Sequence, residues 1–155
     1  MTWPDFVVIG LCIVLGMVQS RRGFLPAVAD LAGCVLIVQI APLFYLKFVS
    51  ESLSYAGAYL LTVCIAVVVL AVITSLLKRY TQYDIGSFDS PLAGVAGIAA
   101  ALVLSHAMYG AVILAQGTNS AVYAGSAFAG QIYELQGWRG FLEFMSKIGT
   151  TDIAQ

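Results

Sequence analysis

The chain reads as an all-α integral membrane protein: four transmembrane helices, then a C-terminal amphipathic helix at the interface. Three observations predict this. Of 155 residues, 61% are hydrophobic and 10% charged, and the mean hydropathy is +0.94. A soluble domain carries about a quarter charged residues and about half apolar ones, and in water a chain this small cannot hide so much apolar surface. The apolar residues fall in four long runs, each near the roughly 20 residues that cross a hydrocarbon core of about 30 Å. Basic doublets, Arg21-Arg22 and Lys78-Arg79, follow the first and third runs. Such doublets hold a span in one direction.

The first span is expected over 3–19. Trp3 suits the interface, and Pro4 suits a first helical turn, where its missing N–H costs nothing. No Lys or Arg precedes the run and no A-x-A stands before the arginine pair that follows it, so it reads as a retained span rather than a cleaved signal. Gly23 then relieves a tight reversal after the arginines. The second span covers 25–46 and carries Asp30 about one turn inside and Gln39 deeper. A carboxylate there is expensive unless it faces a partner or water. Arg21 or Arg22 is the partner by position. The plain reading is an interfacial aspartate favoured by the helix N-terminus; the sharper one is a proton or cation site.

The third span is expected over 57–77 and ends on Lys78, Arg79 and Tyr80. A polar stretch with Asp84, Asp89 and Gly86 follows. Ser90-Pro91 reads as an N-cap and first helical residue, opening the fourth span over 91–115. Gly94, Gly97, Ala101 and Ser105 recur at steps of three and four, which puts small residues on one face for helix packing. His106 sits near the middle, and its plain reading is a ring satisfied by a hydroxyl or carbonyl of a neighbouring helix. Asp30, Gln39 and His106 are the candidate intramembrane polar site.

Residues 117–130 are small and polar: a linker, either loop or loose helix. Over 131–149 the pattern becomes amphipathic. Leu135, Trp138, Leu142 and Met145 share a face, opposite Gln136, Arg139, Glu143 and Lys147. This reads as a helix lying on lipid or on a partner. Four spans put both termini on one side. The doublets put the first and third loops in the cytoplasm and the termini outside.

Much chemistry is excluded. A net charge of −1 and no Lys/Arg stripe argue against nucleic acid. No phosphate loop, nucleophile elbow or His-Glu-x-x-His occurs, so no enzyme and no cofactor is expected. Cys12, Cys34 and Cys64 lie in separate runs and, with His106, have the composition of a zinc site. Scattered single cysteines are more often packing residues, so no metal is expected. Two functional classes remain. A transporter needs polar groups or broken helices at mid-membrane. A structural or accessory subunit, partnered by lipid and by other membrane proteins or copies of itself, needs apolar and small-residue faces.

Two stretches carry a resemblance. Met1-Thr2-Trp3 with Asp5, an apolar run, then Arg22-Gly23-Phe24 and a second run resemble the start of the CvpA family, the colicin V production proteins. Asp89, Leu92 and Gly97 resemble the opening of that family's fourth span. The likeness covers roughly residues 1 to 116. It implies a small bacterial inner-membrane protein with a role in toxin secretion, stress tolerance or membrane organisation, and it brings no catalytic residues. The chain departs from the family pattern at Pro26, Ala27, Ser90, Ala93 and Ala100-Ala101, so several of the family's charges are missing.

Replacing Arg21 and Arg22 together by glutamate is expected to disturb orientation. A reporter fused in the loop after the second span checks it: the reporter changes sides in the variant.

Overall fold

The computed structural model describes residues 1–51, 53–80, 86–117 and 119–134, with the backbone alone at 77–80. Four helices are long and apolar enough to cross a bilayer. They are α1 (Trp3–Arg22), α2 (Phe24–Phe44), α3 (Tyr55–Tyr80) and α4 (Asp89–Gln116). Two single turns follow, α5 (Ala121–Ala124) and α6 (Ala129–Ile132). The protein is a multi-pass, all-α membrane protein.

The helix ends differ from the sequence expectation in ways with physical causes. α1 continues through both arginines, and only Gly23 separates it from α2. That residue has φ +98°, which favours glycine. A 3-10 turn, Tyr45–Phe48, prolongs α2 past Pro42. α4 starts at Asp89 behind a 3-10 turn, Gly86–Phe88, so Ser90 is not its N-cap. Pro91 therefore stands third in the helix. The first N–H groups of a helix have no partner there, so proline costs nothing at that place either. Of the amphipathic helix expected over 131–149, all beyond residue 134 lies outside the described residues.

α4 is the most buried of the four, and it packs against α1, α2 and α3. Its seam is built from small residues. Ala93, Gly97, Ala101, Ser105 and Ala107 are all buried. Gly97 stands so close to α1 that an added Cβ would meet the carbonyl oxygen of Leu15 at 2.6 Å. Gly94 faces Gly16 of α1 more loosely, with its nearest atoms at 3.6 Å. In lipid no hydrophobic force drives helices together, so close backbone approach of this kind supplies the packing attraction. The small-residue face thus packs within the chain, with α1 against Gly94 and Gly97. On α2, Gly33 makes the matching close approach to Leu70 of α3.

The outward faces are greasy. Phe6, Ile13 and Met17 on α1, Leu36 and Leu43 on α2, Val68, Val72 and Ile73 on α3, and Val95 on α4 are exposed. Such a surface belongs against lipid chains.

Residues 119–134, which include most of the stretch expected as a linker, fold back over one end of the bundle. Ala129, with Tyr123, Phe128, Ile132 and Tyr133, packs on Val8, Cys12 and Tyr109.

Gly97→Ala is expected to cost about 1–3 kcal/mol, the usual price of overpacking. Gly94→Ala is expected to be nearly neutral. Reversible unfolding in detergent or bicelles checks the contrast.

Candidate functional site

At the end of the bundle that carries the arginines, three helices share one polar cluster. Asp30 is the seventh residue of α2, about 9 Å along the helix axis from its start. It is buried, as are Gln19 of α1 and Thr74 of α3. Arg22 Nη1 donates to Asp30 Oδ2 at 2.5 Å, and Gln19 Nε2 donates to the same oxygen at 2.5 Å. The other arm of the guanidinium, Nη2, donates to the hydroxyls of Thr74 at 3.0 Å and Ser75 at 3.3 Å. Arg22 therefore ties α1 to α2 and α3 together. Of the two arginines weighed as partner for Asp30, the ion pair belongs to Arg22. The aspartate is a buried, paired carboxylate. Gln19 and Thr74 were not singled out in the sequence. Gln19 recurs three residues before Arg22, one helical turn away, and that spacing was the available signal.

The two stretches that carry the family resemblance meet at this same end. Asp89 Oδ1 accepts the backbone N–H of Phe24 at 3.2 Å, which satisfies an orphan donor at the start of α2. Its Oδ2 lies 2.8 Å from where a Cβ on Gly23 would stand. Glycine is thus required there by conformation and by space. Phe24 packs on Ala27, Ala93 and Ala96, whereas Leu92 faces outward. Lys78 and Arg79 occupy the last turn of α3, one turn beyond Thr74 and Ser75, so both basic doublets lie at one end.

The other end of α1 holds a second buried carboxylate that sequence reading passed over. Asp5 is fully buried. Its Oδ1 accepts from Tyr109 Oη at 3.0 Å and Ser126 Oγ at 2.5 Å. Its Oδ2 accepts from the backbone N–H of Thr2 at 2.7 Å and of Ala127 at 3.2 Å. The Thr2 hydroxyl donates to the Val122 carbonyl at 3.0 Å. Asp5 therefore pins the 119–134 segment to α1 and α4. Nearby, Tyr123 Oη donates to Glu134 at 3.0 Å. Burial first, then that bond, push its hydroxyl up to about 12, so it remains a donor at neutral pH. Nothing in sequence links Asp5 to Ser126, 121 residues away.

The candidate trio of Asp30, Gln39 and His106 divides. Gln39 and His106 line one cavity of about 330 Å³ with Val35, Leu102 and Gln131. Asp30 lines a different one, of about 190 Å³, with Gln19, Arg22, Cys34 and Leu104. Leu104 and His106 are two residues apart on α4, and thus on different faces. His106 Nδ1 lies 3.0 Å from the Ile132 carbonyl. A carbonyl only accepts, so that nitrogen carries the proton. The ring stacks on Tyr133 at 4.9 Å. This is the satisfied histidine of the plainer expectation.

No protein-family model, curated protein or solved structure matches this chain. Its functional reading rests on its own residues.

The cysteines do not converge. Cys64 is exposed on α3 and Cys34 buried on α2, while Cys12 packs by Tyr109. Among the described residues no group of three His, Cys, Asp or Glu side chains could hold a metal ion.

Asp30→Ala leaves the Arg22 charge uncompensated and is expected to cost roughly 3 kcal/mol. The double variant Asp30→Leu with Arg22→Met is expected to recover most of that loss. A double-mutant cycle of unfolding free energies in bicelles checks the coupling.

Proposed function

We propose that this chain is a structural or accessory subunit of a membrane assembly in the bacterial inner membrane. We further propose that it is a divergent relative of the CvpA family, not an enzyme, with both termini on the periplasmic side. The observation that carries the subunit reading is the internal compensation of charge at depth. Arg22 and Asp30 neutralise each other, and His106 is held by a carbonyl. A conducting path needs groups that exchange partners, whereas these groups tie helices together. The apolar outer faces of α1 and α3 suit lipid and neighbouring membrane proteins alike. The placement of Asp89 beside Gly23 and Phe24 supports the family reading, because both stretches of the resemblance then serve one helix junction. The basic doublets at that end support a cytoplasmic location for it.

A second reading, an oligomeric transporter or exporter component serving toxin secretion or envelope homeostasis, draws on one observation. The cavity beside Gln39 and His106 has mid-membrane polar groups on its wall.

Purification in mild detergent followed by mass spectrometry separates the two. A second protein in fixed stoichiometry is the expected result. A homo-oligomer alone, whose solute flux in liposomes falls when His106 is replaced by alanine, would establish the transporter instead.

A further inference from the structure

The cavity beside Asp30 has walls from all four helices. Leu15, Gln19 and Arg22 come from α1, Asp30 and Cys34 from α2, Leu70 from α3 and Leu104 from α4. Two oxygens in this cluster, Gln19 Oε1 and Asp30 Oδ1, are buried and have no hydrogen-bond donor among the described residues. Both residues are almost wholly buried, with relative exposures of 3% for Gln19 and 6% for Asp30. Gln19 Nε2 and Arg22 Nη1 both donate to the other carboxylate oxygen, Asp30 Oδ2, which leaves these two acceptors over within the cluster. Leaving two acceptors dry in a low-dielectric bundle is costly. Native structures relieve such groups with a bound donor.

We propose that this cavity is a binding site for water, held between Gln19 Oε1 and Asp30 Oδ1. Three properties select water over other guests. The two buried atoms without a partner are both acceptors, so the guest must donate, and one water brings two donors for two acceptors. The charge of the wall is already balanced: Arg22 and Asp30 cancel, and the other lining side chains are neutral. An ammonium or metal ion would bring an uncompensated charge into the bundle, which a neutral guest does not. The volume, about 190 Å³, exceeds the roughly 10–15 Å³ that one water requires, so a small cluster fits. Arg22 keeps 19% of its side-chain surface exposed and its partner Ser75 is exposed. The guanidinium thus stands at the outer edge of the cavity, at the bundle end that carries the basic doublets, and those doublets favour the aqueous interface. The cluster hydrates the ion pair about two turns deep in the span.

The test uses the intact chain in lipid bilayers, labelled with ¹³C and ¹⁵N, and water-edited solid-state NMR. Magnetisation from water is expected to reach the Asp30 carboxylate and the Gln19 side chain severalfold faster than the equally buried Ala101 and Ala107. Gln19→Leu is expected to slow the transfer to Asp30 severalfold while leaving the transfer to Asp5 unchanged. Transfer to Asp30 and Gln19 as slow as to Ala101 would show a dry cavity and overturn the proposal. Saturable shifts of Asp30 and Gln19 on titrating ¹⁵N-ammonium chloride or sodium chloride would show that the guest is a cation, and would overturn it equally.

Discussion

A carboxylate inside an apolar bundle has to find its donors within the chain, and that constraint shapes this protein. Asp30 and Asp5, both buried, meet it by joining separate elements, and the half-buried Asp89 joins two helices at the bundle end. Asp30 gathers Gln19 and Arg22 across the α1–α2 junction, and Arg22 reaches on to Thr74 of α3. Asp89, on α4, holds the first backbone N–H of α2. Asp5 gathers Tyr109 and the backbone beyond Ser126. In water such contacts add little to stability. Within the bundle, an unmet partner costs more than the bond itself is worth. The pattern therefore specifies one arrangement of helices more than it strengthens it.

Packing supplies what the polar contacts do not. Lipid removes the solvent difference that drives soluble cores together, so helices associate through fit. α4 presents alanine, glycine and serine inward, and α1 approaches it closely enough to forbid a methyl group at Gly97. Larger side chains are sent outward, where acyl chains take the place of a protein core. Alanine dominates the buried positions, with Val8, Val63, Val112 and two tyrosines among them, and many of the Val, Ile, Leu and Phe side chains lie at the surface. The same close approach brings Gln19 against Gly97 and so sets one wall of the Asp30 cavity.

The division of polar groups into two ends gives the molecule its functional character. One end holds an ion pair beside a small cavity, under the basic doublets. The other is closed by residues 119–134, anchored on Asp5 and on the Ile132 carbonyl bonded to His106. Between them the bundle is largely apolar and small-residue packed, with Gln39 and Ser105 as polar exceptions. Charge compensated within the chain and a greasy exterior toward lipid are what the accessory role proposed above requires.

Sequence by itself determined the class, the four spans, the reversal at Gly23, the small-residue face through Gly94, Gly97, Ala101 and Ser105, and the pairing of Asp30 with an adjacent arginine. Each depends on local periodicity or near neighbours, which composition and spacing record directly. Only the tertiary structure decided that α1 and α4 meet at Gly97, that Asp30 and His106 belong to different cavities, and that Asp5 secures a segment more than a hundred residues away. Those facts depend on which helix faces which, and hydrophobic runs look alike from every side. A span that is apolar all round announces its length but not its partner; that is settled by the few glycines and carboxylates able to meet across a gap.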